Sequence, residues 1–129
     1  MRKRRKTLHV LALMVLLIAG AVDAEERACL LEGSITLGDI HQEIRDCLEN
    51  HGVPATQLKD SCASLAQAPA VLGGPRAKIT YLPACPPAPQ GVCEGFFGQP
   101  LSSYYYKRDA KLLADSKTGC LAQGGKWHG

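Results

Sequence analysis

The sequence has no Cys-x-x-Cys pair, no Asn-x-Ser/Thr acceptor around its single Asn50, and no Gly-x-Ser-x-Gly elbow. The first absence removes a thioredoxin-like redox pair, which needs a low-pKa thiol beside its resolving partner. It also removes the short paired spacings of structural zinc sites. The third removes the strand-to-helix serine nucleophile. No apolar run reaches the roughly 20 residues of a membrane-spanning helix; the longest is the 13 residues from Val10 to Val22. Aromatic residues are scarce, at 5%.

What is present begins with Arg2, Lys3, Arg4, Arg5 and Lys6, followed by that apolar run and by Val22-Asp23-Ala24. A basic segment, an apolar segment and a small-residue cleavage site are the three parts of a secretory signal peptide. Residues 1–24 are therefore expected to be a cleaved signal, with residues 25–129 as a single exported domain, periplasmic or secreted, and with no stable membrane anchor after cleavage. The first cysteine, Cys29, follows Glu25-Glu26-Arg27-Ala28, which does not suit acylation. The five-charge N-terminus and the lack of a glycosylation site point to a bacterial source.

The whole chain carries 15 Lys plus Arg against 12 Asp plus Glu. Residues 1–24 hold five of the basic groups and one acidic group, so residues 25–129 carry 10 against 11, a net of −1. The basic character belongs to the signal. A domain of this balance has no global electrostatic reason to bind nucleic acid or an anionic surface.

Cys29, Cys47, Cys62, Cys85, Cys93 and Cys120 form an even set in an exported chain, where cysteines are read as pairs. Three disulfides are expected. Six cysteines allow 15 connectivities. Local spacing favours Cys85 with Cys93 around a Pro-rich loop, Cys47 with Cys62 in adjacent helices, and Cys29 with Cys120.

Ile40, Ile44, Cys47, Leu48 and His51 recur at helical spacing, which predicts an amphipathic helix from Asp39 to His51. Pro54 opens a second helix through Leu58, Cys62, Leu65 and Ala66. Residues 69–100 hold all but one of the prolines and read as irregular. Within them, residues 77–82 have strand composition and are expected to pair with residues 101–107 in a small antiparallel ribbon. Asp109 caps a third helix from Ala110 to about Gln123, ended by Gly124-Gly125. The predicted class is a small disulfide-rich α+β domain, with two or three short helices, a small β ribbon and Pro/Gly-rich loops.

Six of the seven aromatic residues lie in the last 34 positions. Tyr104 and Tyr106 share one strand face and Tyr105 takes the other. Phe96, Phe97, Tyr104 and Tyr106 are the candidate protein interface, since aromatic side chains are enriched in interface cores. His41, His51 and His128 stand in no pattern that implies a nucleophile and its base, and Gly73-Gly74-Pro75-Arg76 lacks the strand-to-helix context of a phosphate loop. No catalytic, cofactor or metal residue is singled out. The ending Cys120-Leu-Ala-Gln-Gly-Gly-Lys-Trp127 resembles the Cys-x3-Gly-Gly-x-Trp pattern of assorted small exported bacterial proteins, and that resemblance implies no activity.

These features predict a non-enzymatic binding or interaction protein of the bacterial periplasm whose partner is another protein. The alternative is a secreted inhibitor or toxin-like effector, and a small hydrolase comes third.

Overall fold

The computed structural model describes residues 25–129; the expected export signal lies outside the described residues. Its organising element is a long hairpin of β1 (Ala28–Leu37) and β2 (Ile40–Asn50), paired from Ala28↔Glu49 to Leu37↔Ile40. Gly38 turns the chain with φ +57°, a left-handed conformation that glycine adopts without a Cβ penalty. The helix expected from Asp39 to His51 is thus a strand. Ile40, Ile44 and Leu48 are spaced by four residues, which fits one face of a helix and one face of a strand equally well, and cross-strand pairing decides between them.

After Pro54 the chain forms α1 (Ala55–Ala66), which buries Leu58, Cys62 and Ala66 at successive helical turns. The short α2 (Ala68–Val71) follows. Four more strands are β3 (Lys78–Leu82), β4 (Gly91–Glu94), β5 (Leu101–Tyr105) and β6 (Lys126–His128). Between β5 and β6 lies α3 (Ala110–Ala122), with Asp109 Oδ1 accepting from the Leu112 N–H at 2.8 Å as its cap. The strands form one antiparallel sheet in the order β3-β1-β2-β5-β4-β6. The expected small ribbon is corrected accordingly: residues 78–82 pair with β1, while residues 101–105 pair with β2 and β4.

Strand alternation sorts the core into two faces. Cys29, Leu31, Leu48 and Leu101 face α1 and cluster with Val53, Leu58, Cys62, Ala66 and Ala77. Ala28, Leu30 and Cys47 face the opposite side, where Leu82, Cys85, Tyr104 and Tyr106 cover them. All six cysteines are paired, but as Cys29–Cys62, Cys47–Cys85 and Cys93–Cys120. None of the three pairings expected from local spacing is formed. The strand at 40–50 places Cys47 on the sheet face away from α1, out of reach of Cys62. The observed bonds instead tie β1 to α1, β2 to the Pro-rich segment 83–90, and β4 to α3.

The C-terminal Gly-Gly-x-Trp sequence has a geometric role in closing the sheet. Gly124 takes φ +79° after α3, and a Cβ on Gly125 would lie 2.7 Å from Cys120 Sγ and 2.8 Å from Cys93 Sγ. Trp127 then crosses Gly91, where a Cβ would stand 2.2 Å from the indole, and stacks with Tyr105 at 5.8 Å between ring centroids.

Candidate functional site

The helices do not cover the sheet completely. The distal hairpin extends past β3, which pairs only Ala28 to Glu32 of β1, and past β5, which pairs only Asp46 to Asn50 of β2. Its helix-side residues therefore form the floor of a groove of about 500 Å³ between α1–α2 and the start of α3. Ile35 and Ile44 lie on this floor, Leu65 and Leu72 form one wall, and Leu112 contributes from α3. Leu37 and Ile40 at the open end are 51% and 70% exposed, and Leu65 and Leu72 are also exposed. Most large apolar side chains that the described fold leaves in solvent are gathered at or beside this groove, with Val71 next to it and Phe97 and Leu121 elsewhere. Contiguous apolar exposure of this kind marks an interaction site more often than scattered single residues do.

The inner end of the groove is polar. Asp46 and Arg108 both line it, with Arg108 Nη2 donating to Asp46 Oδ2 at 2.8 Å. The guanidinium lies 4.5 Å from the Tyr105 ring centroid, which adds a cation–π contact. Burial pushes the Asp46 carboxyl above its ordinary range, and the Arg108 charge opposes that rise without cancelling it. Only one guanidinium N–H is used by Asp46, so Arg108 keeps donors for a group entering the groove. Gln42 bonds to the Lys107 carbonyl at 2.9 Å, and Lys107 Nζ donates to Glu43 at 2.7 Å, which fixes the chain leading to Arg108 against the hairpin.

Among the described residues the opposite face of the sheet carries no helix. Tyr106 donates its hydroxyl to the Pro86 carbonyl at 2.6 Å, and burial pushes that phenol up to about 12. Tyr104 donates to Glu49 Oε1 at 3.2 Å; burial first, then the Glu49 charge, raises its phenol. Glu49 also accepts the Cys85 N–H at 2.7 Å. A second cleft, of about 380 Å³, is lined by His51, Val92, Glu94, Ser102, Tyr104 and His128. There His128 bonds to Glu94 at 2.7 Å and His51 lies 3.4 Å from Glu49, so each imidazole is engaged by a carboxylate. Among the described residues Ser102 bonds to neither ring, and a nucleophile–base contact is missing. His41 bonds to Thr36 across the hairpin at 2.9 Å. Among the described residues no group of three or more His, Cys, Asp or Glu is arranged to hold a metal ion.

The four aromatic residues expected to form one interface are divided. Tyr104 and Tyr106 sit half-buried on the face away from α1, while Phe96 packs on the core beneath α1 and Phe97 is exposed on the β4–β5 loop. None of the four lines the groove. Sequence reasoning placed Ile40 and Leu65 on the apolar faces of two helices and passed over Leu37 and Leu72, whereas all four are exposed at the groove. The signal was nonetheless present, since Gly38-Asp39 between apolar-containing runs is a two-residue hairpin turn.

No family model, curated protein or solved structure matches this chain. Three disulfides in a domain this small suggest an extracellular, disulfide-stabilised protein, and no described helix is long and apolar enough to cross a membrane.

Proposed function

We propose that this is an exported, non-enzymatic binding protein of the bacterial periplasm or medium, and that its groove holds a small amphiphile. The observation that carries this reading is the gathering of Leu37, Ile40, Leu65 and Leu72 around an apolar groove with one hydrogen-bonding end. A volume of about 500 Å³ falls within the range of small-molecule sites. The apolar chain of the ligand lies over Ile35 and Ile44, and its polar head meets the free donors of Arg108.

The test uses Trp127, the only tryptophan, whose ring stacks on the groove-lining Tyr105. Dodecanoate, added below its micellar concentration, is expected to change Trp127 emission saturably. Leu37→Ser with Ile40→Ser is expected to weaken that binding at least about tenfold, a loss of about 1.4 kcal/mol, with the melting temperature retained because both side chains are largely exposed. Absence of saturation, or equal binding by the double variant, overturns the reading. A second reading, a secreted inhibitor acting on another protein, is favoured by the exposed Phe97 loop.

A further inference from the structure

Phe97 combines two features that core packing does not explain. Its backbone sits at φ +53° and ψ +25°, the left-handed region where a bulky side chain is strained, and its side chain is 65% exposed. Left-handed backbone is strained for a non-glycine residue, and an exposed phenyl recovers little of that strain by burial.

The surrounding loop holds the ring in this conformation. Gly95 and Gly98 on either side take φ +69° and +67°. The Phe97 N–H donates to the Gln123 carbonyl at 3.0 Å, Gln99 N–H to Phe96 at 3.1 Å, and Gly95 N–H to Leu101 at 2.9 Å. His51 N–H donates to Pro100 at 2.9 Å. The Cys93–Cys120 bond anchors β4, which leads into the loop, to α3, whose C-terminal Gln123 accepts the Phe97 N–H. Phe96 turns inward to the core and meets Phe97 edge-on, with centroids 6.0 Å apart. Little conformational entropy remains for this loop to lose on association, which is the advantage of a preorganised contact.

We infer that Phe97 is a docking knob that fills an apolar slot in a partner protein, independently of the amphiphile groove. A lipid surface fits less well: residues 95–100 contain no Lys or Arg, and Glu94 precedes them, whereas interfacial insertion is favoured by cations flanking the apolar group. The neighbouring Gln57 and Gln99, 3.4 Å apart through their side-chain amides, give an uncharged rim. The partner's slot is accordingly apolar and edged with neutral hydrogen-bonding groups.

The experiment replaces Phe97 with photoreactive p-benzoylphenylalanine in the full chain, expressed and irradiated in its own host. The same residue placed at Leu121, an exposed apolar position on α3, is the control. One discrete protein adduct is expected from position 97 and none from position 121. Excess wild type or Phe97→Tyr suppresses it, whereas Phe97→Asn, which accepts left-handed backbone readily, competes about thirty-fold or more weakly. The melting temperature of Phe97→Asn is expected to equal or exceed that of wild type. A clear fall in that temperature assigns Phe97 to stability and overturns the inference. Equal competition by Phe97→Asn, crosslinking to lipid, or no adduct at position 97 overturns it as well.

Discussion

Arg108→Gln isolates the polar end of the groove. Arg108 donates to Asp46 at 2.8 Å and lies 4.5 Å from the Tyr105 centroid, and the two charged side chains are 29% and 23% exposed. The bonds that fix its backbone, from Arg108 N–H to Gln90 at 2.8 Å and from Gln90 to the Arg108 carbonyl at 2.9 Å, survive the substitution. What is lost is a charge-assisted hydrogen bond, worth about 1.5–3 kcal/mol, and a cation–π contact of about 0.5–1 kcal/mol. Residual solvent around both groups brings the expected loss to the lower part of that range, about 2 kcal/mol at pH 7.

The pH dependence gives the prediction its sign. Burial raises the folded Asp46 carboxyl above its ordinary value, so the stability linked to its protonation is complete below the unfolded value and is lost as pH rises through the folded one. Removing Arg108 deletes the one opposing attraction and moves the folded value up again. In the variant Asp46 is protonated to a greater extent at pH 4 than at pH 7, so less unpaired charge is buried and the expected loss at pH 4 is smaller than at pH 7. Urea unfolding at pH 7 and pH 4, with disulfides intact, measures both. Equal losses at the two pH values would show that Arg108 acts through packing alone, and no loss at pH 7 would refute the reasoning altogether.

The Cys93→Ser, Cys120→Ser variant should release α3 and leave the hairpin in place, because Cys120 is the helix's one fully buried residue. Amide exchange over residues 110–122 is expected to become fast while β1 and β2 stay protected; uniform loss of protection would contradict this. Tyr104→Ser with Tyr106→Ser should cost about 2–4 kcal/mol, less than two fully buried aromatic truncations, because the two phenols hold Glu49 and the Pro-rich segment against the sheet. An unchanged melting temperature would instead make them a free surface.

Local signals were read correctly where one element accounts for them. Asp109 caps α3, Pro54 precedes α1, and Leu58, Cys62 and Ala66 face inward, although Leu65, expected with them, is exposed at the groove. Tyr104 and Tyr106 do share a face opposite Tyr105, since strand alternation is local. Apart from its Gly38-Asp39 turn, the central hairpin was obscured for the converse reason. Gln42 and Asp46 interrupt the apolar alternation of Ile40, Ile44 and Leu48, and both are polar because they stand at the groove, bonded to Lys107 and Arg108. The residues that serve the candidate site are thus the ones that obscured the strand, and the error in Cys47 followed from it.

The staples and the groove have a common origin. Each disulfide fastens one covering element to the sheet: α1 through Cys62, the Pro-rich segment through Cys85 and α3 through Cys120. With separations of 33, 38 and 27 residues, each is worth roughly 3.5 kcal/mol on the chain-entropy model. Closing the helices over Leu37, Ile40, Leu65 and Leu72 would complete burial of four half-exposed side chains, about 3–6 kcal/mol at 1.5–3 kcal/mol for each full burial. One to two covalent ties therefore offset what the open groove leaves ungained. A fold of this size can keep an apolar surface uncovered because its stability does not depend on collapsing onto it. Wild type in reductant should accordingly lose the groove by unfolding, not by closing.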